Sequence, residues 1–232
     1  MTQADPVKAI SALARRLRER FADQLGPDPA PLHLDPAEAI LAEFVRSFLV
    51  WECSRASAAT AYRKVEKSVV DFNELRICLP DDLVKMIGPR YARAQERALR
   101  LRAALNDLYS RQHTVSLQHL ADFPKRDAKA FLDSLDGVPH FVSARVTLLS
   151  LSGHAAPVDS RILAMLVAEG LVPTDATPES AAGVLERKVR AGELLELYQL
   201  VQAWSDAEAD DRATEPLARK PKAATAVAKP KR

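Results

Sequence analysis

The residues of this chain whose types and spacing could do chemistry are a carboxylate, a turn glycine and a set of arginines. Asp159 stands in Pro157-Val158-Asp159-Ser160-Arg161-Ile162, directly before the apolar periodicity of a helix. An Asp at such a place has a structural use, because its side-chain oxygen can cap the first free amides of the helix. A carboxylate fixed there is also the kind of group that stabilises a developing cation or activates a water molecule. Upstream, the stretch from Leu135 to Arg145 turns on Gly137, the residue type best suited to a positive φ. His140 sits at the tip of that turn, where it could meet a phosphate; an exposed histidine is the simpler reading. Arg90, Arg93, Arg97 and Arg100 recur at helical spacing, either as a solvated face or as a face that tracks phosphates.

Other chemistries find no support. His113, His119, His140 and His154 have neither i,i+4 pairing nor cysteine partners, so no metal site is expected. Two cysteines, Cys53 and Cys78, are too few for a metal knuckle or a disulfide framework. No glycine-rich phosphate loop is present, and no nucleophilic Ser or Cys stands out. No apolar run approaches the roughly 18 residues of a membrane span, and the N-terminus lacks a secretory core, so a cytoplasmic location is expected.

The elements that must position these groups read as helices. A chain of 232 residues with 7 glycines and few β-branched runs suits one or two small helical domains. Asp5-Pro6 starts a helix with Ile10, Leu13, Leu17 and Phe21 on one stripe, and Asp35-Pro36 starts a core helix from Ile40 to Leu49. Ser57 to Val70 and Pro80 to Ile87 follow. Pro89 to Tyr109 is the longest helical signal, with Ala94, Ala98, Leu101, Leu105 and Leu108 as its seam. Asp127 to Leu135 and Phe141 to Leu151 flank the Gly137 turn. Helices then run after Asp159 to Gly170, from Ala181 to Arg190, and from Glu193 to Trp204. From about Asp210 the apolar periodicity is lost. Leu217 to Arg232 carries six basic residues and no acid, leaving the rest with 27 basic against 31 acidic residues. Such a tail, with Lys220 and Lys222, either binds nucleic acid through charge or solubilises the chain.

Helix, Leu-x-Gly-Val, helix with the small residue Ala144, followed by Val158-Asp159-x-x-Ile162, resembles the endonuclease III-like (HhH-GPD) superfamily of DNA base-excision glycosylases. The resemblance implies an all-α, two-lobed fold with a helix-hairpin-helix element. It implies that the hairpin amides, around Gly137 and Val138, face a DNA phosphate and that Asp159 is the catalytic carboxylate at the mouth of a base pocket. Bifunctional members carry a lysine nucleophile eighteen residues before that Asp; here the position is Phe141. Lyase chemistry at that position is therefore not expected. The second Gly of the family turn is Pro139, which has no N–H to offer. The duplex-inserted Gln of the family has no match around Trp51 to Arg55. Arg55 or Trp51 could replace it, though Trp51 reads as core; Glu52 could be an acid/base group, and a solvated or capping residue is the simpler reading. The cysteines that hold the family's iron–sulfur cluster are missing, so no cofactor is expected.

The expectations are thus an N-terminal helix and Pro-rich connection over 1–34, a glycosylase-like region over 35–211 with its hairpin at 127–152, and a basic tail over 212–232. The expected function is DNA-binding base-excision repair by a monofunctional glycosylase. The alternative is a non-catalytic relative that binds DNA or protein. Asp159 is the catalytic candidate. Gly137, Val138, His140, Arg55, Arg93, Arg97, Lys220 and Lys222 are the DNA-binding candidates, and double-stranded DNA is the expected partner of a monomer. A bacterial form would be nucleoid-associated.

Overall fold

The computed structural model describes residues 6–26 and 36–214. Eleven α-helices order them: α1 (Pro6–Phe21), α2 (Ala39–Val50), α3 (Arg55–Ser68), α4 (Phe72–Ile77), α5 (Pro80–Ile87), α6 (Ala94–Gln112), α7 (Lys125–Ser134), α8 (His140–Leu149), α9 (Ser160–Ala168), α10 (Pro178–Lys188) and α11 (Ala191–Thr214). There is no strand among the described residues, in line with the expected all-α class.

Helices α2 and α8 form the spine. Ile40, Leu41, Phe44, Val45, Phe48 and Leu49 of α2 are buried around its circumference, and so are the α8 residues from Phe141 to Leu148. A helix apolar all round must be covered on every side. On one side α3, α5 and α6 complete a lobe, with α7 packed on α8; on the other α9, α10 and α11 form a second lobe. The α1 stripe of Ile10, Leu13, Leu17 and Phe21 docks on α11 in that second lobe.

Local chemistry sets the helix starts. Ser54, Asp71, Asp159 and Thr177 each accept an amide hydrogen bond from the residue three positions on, and Thr177 with Ser180 closes a capping box. Two boundaries differ from the sequence expectation by five residues or more. Helix α6 begins at Ala94 rather than Pro89, because Pro89 to Arg93 forms a connection that ends with Arg93 left-handed at φ 51. Helix α11 continues past Trp204 and Asp210 to Thr214 and is, at 24 residues, longer than α6 with 19. Helix α4 was not anticipated; six residues are too few to show a period. Lys220 and Lys222 lie outside the described residues.

Candidate functional site

Gly137 fixes how the α7–α8 turn meets α6. Its φ of 76 suits glycine, as the sequence suggested, and a second reason lies in packing. A Cβ there would lie 2.9 Å from the Arg100 carbonyl oxygen and 3.1 Å from the Arg100 Cα. Backbone meets backbone at this point, and only glycine permits it. The turn spends the Val138 N–H on the Leu135 carbonyl (3.3 Å), and Pro139 at the N-cap of α8 contributes none. Among the first amides of α8, those of His140 and Phe141 are left without an intrahelical partner by their position.

A cleft of about 350 Å³ opens between this turn, the α2–α3 turn and the start of α9. Trp51, Glu52, Arg100, Val138, His140 and Asp159 are among its walls, with Glu179 at the rim. Clefts of about 300–1,000 Å³ accommodate small organic groups. Phe141, where the resemblance led one to look for a lysine, is 2% exposed and belongs to the packed wall. Trp51 is 8% exposed and likewise lies within the core. Both rings line the cleft. His140 is half-buried rather than exposed, and its buried Nδ1 has no hydrogen-bond partner.

Asp159 is held at both oxygens. Its Oδ1 accepts the Ile162 N–H at 2.9 Å, the expected cap, and its Oδ2 accepts the Glu52 N–H at 2.9 Å from across the cleft. Glu52 returns the favour: Oε1 accepts the Ser160 N–H at 3.0 Å and Oε2 the Ser160 hydroxyl at 2.5 Å. This reciprocal pair welds the α2–α3 turn of one lobe to the α9 start of the other, with Glu52 left-handed at φ 57. Asp159 is 3% exposed, so burial pushes its carboxyl above the ordinary carboxylate range. The Ile162 amide pulls it down, the nearby Glu52 charge pushes it up, and the Glu52 amide pulls it down again.

The arginines divide in a way the sequence did not show. Arg97 was expected to share a phosphate-tracking face with Arg93; the structure takes it off that face. Its side chain is 0% exposed, and its guanidinium donates to the carbonyls of Phe48, Trp51 (2.7 Å) and Ala92 (2.9 Å). Carbonyls that would otherwise be orphaned at the end of α2 and in the 88–93 connection compensate the buried cation. Burial still lowers its pKa, with Tyr91 the leading counterweight. Arg97 therefore staples the two loops beside the cleft and is out of reach of DNA. Arg93 and Arg100 remain at the surface, and with Arg97 they surround the Trp51 ring at 5.4, 5.6 and 5.7 Å from its centroid. Arg55, a candidate for the inserted residue, is tied to Asp206 of α11 at 2.7 Å, so that use would require breaking this pair.

One polar cluster escaped sequence reasoning. Arg145, in the midst of apolar α8, is 1% exposed and donates to Glu43 and to Ser47 (3.0 Å) of α2 and to the Tyr198 hydroxyl (2.7 Å) of α11. Its signal was a lone charge inside Phe141-Val142-Ser143-Ala144-Arg145-Val146, but its partners are 53 to 102 residues away.

No protein-family model matches the chain. In sequence it is similar to two proteins of Arabidopsis thaliana. DEMETER-like protein 2 is 30% identical over 160 residues, 66% of this chain and 11% of that protein. The DNA glycosylase/AP lyase ROS1 is 27% identical over 154 residues, 65% and 11% of the two chains. The chain thus spans about a tenth of the length of these relatives. In structure it is similar to endonuclease III trapped as a covalent intermediate on DNA, with TM-score 0.64, 13% identity and 85% of each chain covered. It is also similar to the Helicobacter pylori 3-methyladenine DNA glycosylase bound to 1,N6-ethenoadenine, with TM-score 0.61, 10% identity, and 90% of this chain and 99% of that one covered. At such identities these likenesses show a shared fold.

Proposed function

With the all-α fold of the endonuclease III-like (HhH-GPD) glycosylases as the premise, we propose that this chain binds duplex DNA and excises a base without cleaving the strand. The observation that carries the reading is the cleft of about 350 Å³ at Asp159, lined by Trp51, Glu52 and Phe141. A nucleotide turned out of the stack needs such a cavity and a carboxylate beside the sugar that becomes cationic. Asp159 meets the second requirement, because amides from two elements fix it at the cleft wall. With Phe141 in place of the amine nucleophile, water is the attacking group and the product is an intact strand with an abasic site.

The non-catalytic alternative draws on one observation. Both Asp159 oxygens are already occupied by backbone amides, one from the helix that it caps and one from Glu52 of the α2–α3 turn. The two readings part on a panel of duplexes, each with one damaged or mismatched base, incubated with the full chain and then treated with hot alkali. The excision reading expects cleavage at one or more lesions only after alkali, and none with Asp159→Asn. Inactivity on the whole panel, with DNA binding retained, would establish the non-catalytic relative instead.

A further inference from the structure

Three charged side chains beside Trp51, of which Arg100 lines the cleft, form an arrangement that packing alone does not require. Glu96, in the first turn of α6, divides its carboxylate between two arginines: Oε2 accepts from Arg93 Nη1 at 3.0 Å and Oε1 from Arg100 Nε at 2.9 Å. All three side chains are open to solvent, at 47%, 38% and 42% for Arg93, Glu96 and Arg100. Both guanidinium groups also lie against Trp51, and Arg100 Nη1 reaches toward the Gly137 carbonyl at 3.4 Å. Besides the buried Arg97, two solvent-open cations are therefore brought to one aromatic ring that lines the cavity at Asp159, with the Glu96 carboxylate between them. Burial would raise the Glu96 carboxyl, but hydrogen bonds from Arg100 and Arg93 hold it below its usual value.

We propose that Arg93 and Arg100 form a seat for one backbone phosphate of bound DNA at the cleft mouth, and that Glu96 occupies this seat in the free protein. The inference rests on the DNA-excision reading above and deepens it by naming where the strand enters. A phosphodiester presents two oxygens to the guanidinium donors that Glu96 now engages, and charge-assisted bonds of this kind are the strong ones. Displacing Glu96 is easy, since exposed ion pairs contribute little net free energy. A strand anchored beside Trp51 has its next sugar over the cleft. Once displaced, Glu96 faces the phosphate as a like charge and weakens binding.

That last point gives the proposal a signature of unusual sign. Binding of a fluorescein-labelled duplex carrying a tetrahydrofuran abasic analogue is measured by anisotropy at several salt concentrations, with the full chain. Arg93→Gln and Arg100→Gln should each weaken binding and reduce the slope of log affinity against log salt by about one. Glu96→Gln should tighten binding by up to about fivefold, the upper end of what one exposed ion pair contributes. Arg18→Gln, which breaks the remote pair with Glu196, should leave affinity and slope close to wild type. Wild-type affinity and slope in both cleft-arginine variants, or no tightening by Glu96→Gln, overturns the seat while the excision reading stands. A wild-type chain that binds no duplex overturns the reading beneath it.

Discussion

Asp159→Asn separates what this side chain does for stability from what it does for chemistry. Asn and Asp are comparable helix caps, so the bond from the Ile162 amide to the remaining oxygen survives the change. The second oxygen becomes an NH2 group, which cannot accept the Glu52 N–H now 2.9 Å away. An amide left unsatisfied in the interior costs about 1–3 kcal/mol. At neutral pH part of this is offset, because the variant no longer buries a charge that the core and Glu52 disfavour. A net loss of about 1 kcal/mol at pH 7 follows, which for a chain of this size is roughly 2–4 °C in Tm.

The pH dependence carries the sharper test. The folded-state pKa of Asp159 is raised, so the folded chain holds this proton more tightly than the unfolded one. Its contribution is complete below the unfolded value of about 3.9 and is lost as pH rises through the folded value. Protonated Asp keeps an oxygen that can accept the Glu52 amide; Asn does not. Urea denaturation should therefore show the Asn penalty growing as the pH falls from 7 toward 4. A penalty that shrinks on acidification would refute the reasoning about both the buried charge and the second oxygen. In excision assays the same variant should lose a factor of roughly 10²–10³ in rate, and turnover at wild-type level would remove Asp159 from the chemistry.

Borohydride reduction on abasic DNA should trap no covalent complex, because Phe141 stands where an amine would attack; an adduct found by gel electrophoresis would assign the role to another lysine. Arg97→Met should lower stability by about 3 kcal/mol, roughly 6–12 °C in Tm, by orphaning the carbonyls of Phe48, Trp51 and Ala92. A near-neutral result by calorimetry would show that those carbonyls find other donors. Deleting residues 217–232, with six basic residues and no acid, should flatten the salt dependence of DNA binding and leave Tm nearly unchanged. An unchanged salt slope would place the charge-driven contact on the folded part.

What could be read in the sequence was what depends on neighbours in the chain. The Asp159 cap, the α1 stripe and the positive φ of Gly137 are each decided within a few residues, and each was legible. Arg97 was misread despite a visible signal: it lies three residues after Ala94 and four before Leu101, on the seam that packs inward. The pattern of cations alone suggested a surface stripe, and nothing local announced that distant carbonyls would receive a buried guanidinium. The Glu52 weld was hidden for the same reason, since its partners lie 107 and 108 residues away. Arg100 and Glu179 at the cleft became visible only once the turns and helix ends had met in space.

The placement of the indoles has an optical consequence. The chain has two tryptophans, Trp51 beneath the arginines at the cleft and Trp204 half-buried on α11 in the other lobe. Indole emission responds to the charges around the ring, and three guanidinium groups lie within 6 Å of the Trp51 centroid. Any event that rearranges those cations alters the colour and intensity of one fluorophore while the other reports on a separate lobe. Replacing Trp204 by Phe would leave a native, label-free emitter at the cleft, able to report its occupancy without attaching anything to the DNA.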